Sequence, residues 1–228
     1  MKNSNSLRLI ELLLVIAVAF GSKIFDSVCI ELTQYQIIQP DATYAIIRFG
    51  SKIISDLAAI FLLVYILFRQ GRNLSEIGFS FVWKDLISSI LLAITAFIAY
   101  SLCWVVTYYA YYFATQNTLH ATSKNIEIFK TGITFLSVAA MLVNPFYEEL
   151  IVRAYTISEV KYLTNDTNLA IFLSVVIQST YHLYQGFLST WLLVPMFIIF
   201  SIYYIKCQRI MPVILAHMYF DLIALFSY

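Results

Sequence analysis

Charge is what this chain has least of. Asp, Glu, Lys and Arg make up 12% of its 228 residues, roughly half the share found in a soluble domain. With 61% apolar residues and a mean hydropathy of +0.81, that scarcity excludes a water-soluble globule. Glycine and proline are also few, at 6 and 4, which excludes disordered and low-complexity sequence. The three cysteines, Cys29, Cys103 and Cys207, are odd in number and lack Cys-x-x-Cys spacing. They indicate neither a disulfide framework nor a cysteine metal site. Cys207, beside Lys206, reads as a bystander rather than an acylation site. A net charge of +1 points to no nucleic-acid partner. The ten-residue alternation of a membrane β-barrel is missing as well.

What is there is apolar sequence in long runs. Seven segments stand out, at about 8–29, 45–68, 86–113, 131–157, 168–184, 188–205 and 211–227. The fold class this predicts is all-α, a polytopic transmembrane bundle of about seven spans (six to eight) in a cell membrane. Lys2 and Arg8 precede an apolar run, and Ala17-Val18-Ala19 has the look of a signal-peptide cleavage site. Glu11 interrupts that run and apolar sequence resumes after Lys23, so an uncleaved first helix is expected. With the N-terminus inside, Lys2, Arg8, Arg69, Arg72, Lys84, Lys161, Lys206 and Arg209 fall on the inner side, and only Lys124 and Lys130 on the outer. That bias predicts a cytoplasmic N-terminus. No linker divides the chain, which reads as one membrane domain. Residues 1–130 carry no motif, and 131–228 hold the candidate site.

The first two segments are unusually polar. Arg48, Lys52 and Asp56 are spaced by four and form one stripe, opposite a first segment holding Glu11, Lys23 and Asp26. Such a stripe faces protein or water, not lipid. Interhelical pairing is the simpler reading, and a hydrated entrance is the functional one. The aromatic cluster from Trp104 to Phe113 resembles an interfacial belt. His120 sits in a polar loop and is read as solvated.

The sharpest feature is Asn144-Pro145-Phe146-Tyr147-Glu148-Glu149-Leu150-Ile151-Val152-Arg153. Each charge in lipid costs about 2.5–3.5 kcal/mol on insertion scales, so an idle one is not expected to persist. Glu149 and Arg153 share a helical face and can pair. Glu148 points elsewhere and has no partner at that spacing, which leaves a carboxylate for chemistry. Asn144-Pro145 fits a helix start, with Asn at the cap and Pro at the first helical position. It equally fits a kink in a longer helix. A start there would put both glutamates at the positive end of a helix dipole. His182 follows in the next segment. His217 and Asp221, spaced by four, lie on one face of the last. A single histidine in a membrane helix is as often an interhelical hydrogen-bonding group as a catalytic one. The whole set in so uncharged a chain argues for one shared polar site.

This order, Glu-Glu-x-x-x-Arg, then a single His, then His-x-x-x-Asn/Asp, resembles the CPBP family of intramembrane proteases. That family includes the CAAX-prenyl endopeptidases and the Abi proteins tied to bacteriocin processing and self-immunity. The resemblance covers residues 144–221. Two departures stand out. The family's second motif usually has Phe four residues before the histidine, where this chain has Gln178. The third motif often ends in Asn, where this chain has Asp221. The resemblance implies an intramembrane endopeptidase acting on a peptide or membrane-protein substrate in the bilayer. Glu148, helped by His182, would activate water. His217 with Asp221 would stabilise the oxyanion, and Glu149 and Arg153 would hold the site together. A metal-independent glutamate mechanism without cofactor is the leading expectation. Zinc held by Glu148, His182, His217 and Asp221 is the alternative. A non-catalytic immunity or scaffold protein of the same fold, and a small transporter, are the other readings carried forward.

One expectation concerns depth. Counted from residue 131, Glu148 lies about 25 Å from one membrane face, and His182, from residue 168, about 21 Å from the other. Those depths differ by about 16 Å in a core of about 30 Å. A break at Asn144-Pro145 is therefore expected.

Overall fold

The structure is a computed structural model that describes residues 2–33, 42–119 and 134–226. The described residues form seven helices, one for each apolar segment. They are α1 (Lys2–Thr33), α2 (Ala42–Arg69), α3 (Lys84–Thr115), α4 (Phe135–Thr164), α5 (Thr167–His182), α6 (Phe187–Cys207) and α7 (Met211–Phe226). No strand occurs among the described residues. Five helices, α1, α2, α3, α4 and α6, are long and apolar enough to cross a membrane, while α5 and α7 have 16 residues each. The chain is thus a multi-pass helical membrane protein in which five of the seven segments have full spanning length. His120 and the loop lysines Lys124 and Lys130 lie outside the described residues.

Alpha-4 is the axis of the bundle. From Tyr147 to Ile157 every residue on it is buried. Alpha-2 and α7 pack along its first half, α5 along its second, and α1 crosses α5 and α2. Alpha-3 leans on α6 and α7 and leaves most of its surface outside, with Ile87, Ile98, Val106 and Phe113 exposed. An apolar exterior of this kind is what lipid requires, and it removes the usual hydrophobic drive between helices. Close packing and polar contacts must take over. Ala19, Ala59, Ala96, Ala140, Ala154, Ala170 and Ala216 are all buried, small residues that let helix backbones approach.

The expected break at Asn144-Pro145 does not occur. Alpha-4 starts earlier, at a Thr134 cap whose hydroxyl accepts from the Ser137 amide, and it runs through Pro145 as helix. Asn144 is an interior residue rather than a cap, so the helix-dipole argument for the glutamates falls away. The irregularity lies further on, where Glu149–Tyr155 winds as a π-helix. A wider turn strains the carbonyl ladder, and lipid offers no water to compensate. Hydroxyl groups meet these carbonyls instead. Ser174 Oγ donates to Val152 O at 2.8 Å, and Thr156 Oγ1 donates to Ile151 O at 2.8 Å. The Tyr204 hydroxyl oxygen lies 3.1 Å from both Ala154 O and Ile77 O, which share its one hydrogen.

The depth difficulty is resolved by length rather than by a break. Alpha-4 extends to Thr164, beyond the segment end read from sequence, and turns directly into α5. From that shared end Glu148 stands about 24 Å away and His182 about 22 Å. The two residues are level.

Charged groups gather at the same end. Glu159, fully buried on α4, receives Arg8 Nη2 at 2.8 Å and Arg72 Nη1 at 2.5 Å. Glu11 pairs with Arg69, and Asp85 with Arg209 at 2.7 Å. The connection from α2 to α3 is pinned there too. Gly78 adopts φ +82, and a Cβ on it would come within 2.5 Å of Gln208 O.

Candidate active site

The site forms where the middle of α4 meets α5 and α7. Glu148, 6% exposed, has partners that helical spacing along its own segment could not supply. Its Oε2 accepts from the Tyr181 hydroxyl at 2.6 Å and from Gln178 Nε2 at 3.3 Å. Both donors come from α5. Gln178, the departure from the family's Phe, therefore adds a hydrogen bond to the carboxylate.

Glu149 is fully buried and faces two groups. Its Oε1 lies 2.8 Å from His217 Nδ1, and its Oε2 lies 3.6 Å from Arg153 Nε. The expected pairing with Arg153 is present, and the bond to His217 is new. Arg153, itself fully buried, reaches Phe197 O at 3.5 Å and sets its guanidinium over the Phe197 ring at 5.5 Å.

His217 stands between carboxylates on both sides. Its Nε2 lies 3.5 Å from Asp221 Oδ1 and 4.0 Å from Glu148 Oε2. Asp221 Oδ2 accepts from Asn144 Nδ2 at 3.0 Å. Asn144 Oδ1 in turn accepts from Lys52 Nζ at 2.7 Å. Lys52 also binds Asp56 Oδ2 at 2.5 Å, and Asp56 Oδ1 takes Lys23 at 2.7 Å. The polar stripe of α2 does pair with α1, as the simpler reading expected, and it continues into the site.

His182 is held through the main chain. Its Nδ1 lies 2.9 Å from Gln178 O. A carbonyl can only accept, so that nitrogen carries the hydrogen, and a neutral ring keeps Nε2 as acceptor. The rings of Tyr181, Phe197 and Tyr184 surround it at 4.6, 5.2 and 6.2 Å. Its carbonyl accepts from Thr190 Oγ1 at 2.9 Å. Gln178 thus ties the two groups together, with its side chain on Glu148 and its backbone on His182.

All six residues singled out in the sequence lie in this one region. Arg153 sits one turn below and touches Glu149 alone of the other five. Tyr181, Asn144 and Lys52 were not read as site residues. A tyrosine next to a motif histidine is a faint signal in a chain with 17 tyrosines. Asn144 looked like a cap, and Lys52 like a structural ion pair. Among the described residues no group of three or more His, Cys, Asp or Glu side chains is placed to hold a metal ion.

An apolar groove of about 680 Å³ runs between α5 and α6. Val175, Ser179, Leu183, Thr190 and Trp191 line part of it. It borders the turn that carries His182.

Residues 130–223, the stretch that holds α4 to α7, match the family of type II CAAX prenyl endopeptidases, Rce1-like. Neither a curated protein nor a solved structure gave a match.

Proposed function

From the premise that residues 130–223 place this chain in the CPBP family of membrane proteases, we propose a glutamate-dependent intramembrane endopeptidase. It hydrolyses a peptide bond in a membrane-associated peptide or protein. The observation that carries this reading is the convergence on Glu148. One of its carboxylate oxygens is fixed by Tyr181 and Gln178, and His217 faces the same group.

Glu148 takes a proton from water as the water attacks the scissile carbonyl. His182, with Nε2 free as an acceptor, takes up the second water proton as the intermediate collapses, and the protons held on Glu148 and His182 both pass to the leaving amine, which restores the two bases. Carbonyl attack places negative charge on oxygen, and His217 Nε2 is the donor available to it. Glu149 fixes that ring from its other nitrogen. Asp221 orients His217 rather than donating itself, because an ionised carboxylate has no hydrogen to give. Arg153 neutralises Glu149 in a setting where an unpaired charge would be costly. The groove between α5 and α6 would admit an extended apolar segment from the lipid side to His182. A non-catalytic immunity or scaffold role, and transport, have no comparable observation in their favour. The end where Arg8, Arg69, Arg72 and Arg209 gather is taken as cytoplasmic.

The test uses the full chain in nanodiscs with a quenched-fluorescent library of N-acylated peptides. Wild type is run beside Glu148→Gln and His182→Ala, each with and without a chelator. Loss of a general base is expected to lower kcat by about 10²–10⁴-fold. Cleavage by Glu148→Gln at the wild-type rate would overturn the reading. Loss of wild-type activity with chelator would replace the glutamate mechanism by a zinc one.

A further inference from the structure

The match to the protease family begins at residue 130, yet a side chain from α2 reaches into the site. Lys52 Nζ is 2.7 Å from Asn144 Oδ1 and 2.5 Å from Asp56 Oδ2. We propose that Lys52 is a positioning residue of the active site, acting on His217 through Asn144 and Asp221. This rests on the protease reading above and gives the first third of the chain a part in it.

The argument starts from donors and acceptors. An ammonium group can only donate. Its contact therefore fixes which end of the Asn144 amide faces which neighbour, a choice that shape alone does not make. With Oδ1 turned to Lys52, Nδ2 must face the other way, and there it meets Asp221 Oδ2 at 3.0 Å. Held on that oxygen, Asp221 presents Oδ1 to His217 Nε2 at 3.5 Å. Without the lysine, Oδ1 loses that donor and Asp221 alone holds the amide, through Nδ2. The amide can then pivot about that single bond and draw Asp221 off the histidine.

Charge balance supports the same assignment. Asp221 stands where the resembled motif often has a neutral amide, so this site carries an additional negative charge beside Glu148 and Glu149. The groups facing one another across α1, α2, α4 and α7 are four carboxylates, Asp56, Glu148, Glu149 and Asp221, against Lys23, Lys52, Arg153 and the ring of His217. Lys52 supplies the cation nearest Asn144. Like charges without a counter-ion are expensive in so apolar a setting. Asp56 serves as the anchor for Lys52, and it has a second cation in Lys23 at 2.7 Å. Removing Lys52 thus leaves Asp56 paired, and the helix contact between α1 and α2 survives.

The experiment reads His217 directly. The full chain is labelled with ¹⁵N-histidine and placed in nanodiscs, and the ring nitrogens are compared in wild type, Lys52→Met and Lys52→Arg. The His217 signals are expected to shift in Lys52→Met, and to return towards wild type in Lys52→Arg, which keeps charge and donors. The His182 signals stay in place. On a peptide cleaved by the wild type, Lys52→Met is expected to lower kcat about tenfold, as a small misplacement does, with KM little changed. If Lys52→Met does not fold, Lys52→Leu, which also lacks a donor, is read in the same way. A purely structural lysine would leave His217 unmoved, and that result overturns the proposal whatever the rate does. The two readings fail separately. Wild-type cleavage by Glu148→Gln removes the protease, whereas an unmoved His217 beside an inactive Glu148→Gln removes only the role of Lys52.

Discussion

At Glu148 two donors meet one oxygen. Tyr181 at 2.6 Å is the closer, and Gln178 at 3.3 Å the weaker. A hydrogen bond to a charged group is worth about 1.5–3 kcal/mol, so the tyrosine does most to fix where the carboxylate points. Tyr181→Phe keeps the ring stacked on Phe20, whose centroid lies 4.7 Å away, and loses only the donor. It is expected to lower kcat/KM by about 10- to 100-fold in the peptide assay, by the size of that bond. Gln178→Leu should cost less. If Tyr181→Phe cleaves as wild type does, the hydroxyl does not position Glu148. The same residue scale shows why Glu148 looked solitary in the sequence. Helical spacing can report only partners on the same helix, and both donors to Glu148 sit on another.

Among the elements, α4 does the most. Its π segment turns a row of carbonyls towards Ser174 and Tyr204 instead of closing the usual ladder. These hydroxyls touch no ligand-facing group, yet they hold the helix that carries Glu148, Glu149 and Arg153. Leaving one buried acceptor unpaired costs about 1–3 kcal/mol. Ser174→Ala and Tyr204→Phe are each expected to lower the thermal unfolding temperature in detergent. Kcat should fall as well, because the register of Glu149 to His217 depends on that turn. Unfolding at the wild-type temperature in both variants would show that the segment needs neither hydroxyl. The sequence signalled an irregularity in this helix through Pro145 but misplaced it. Proline announces a missing N–H without saying where the helix will absorb the change.

For the molecule as a whole, charge divides the two ends of the bundle. Arg8, Arg69, Arg72 and Arg209 share one end with Glu159, Glu11 and Asp85. Cys207 lies at that end, exposed, at the close of α6. If this is the cytoplasmic end, a Cys29→Ser/Cys103→Ser variant should resist a membrane-impermeant thiol reagent in intact cells and react once the membrane is opened. Labelling of intact cells would reverse the orientation. The spans themselves are uneven. Alpha-5 and α7, at 16 residues, are about 24 Å long and fall short of a core of about 30 Å. They bring His182, His217 and Asp221 to the middle of the bundle without having to cross it fully.

Sequence alone determined the fold class and the seven helical segments, and it singled out six residues that the structure brings into one region. It could do so because lipid makes charge expensive, and the few charges kept inside apolar runs stand out. It also gave the Glu149–Arg153 pair, since both residues lie on one helix at a readable spacing. The tertiary structure decided what lies between helices. It made Tyr181 and Gln178 the partners of Glu148, Glu149 a holder of His217, and Lys52 a neighbour of Asn144 rather than only of Asp56. It also levelled Glu148 with His182 by carrying α4 to Thr164, where the expectation had been a break. Periodicity measures distance along one helix, whereas contacts across helices depend on their lengths, tilts and turns, and these are set by packing.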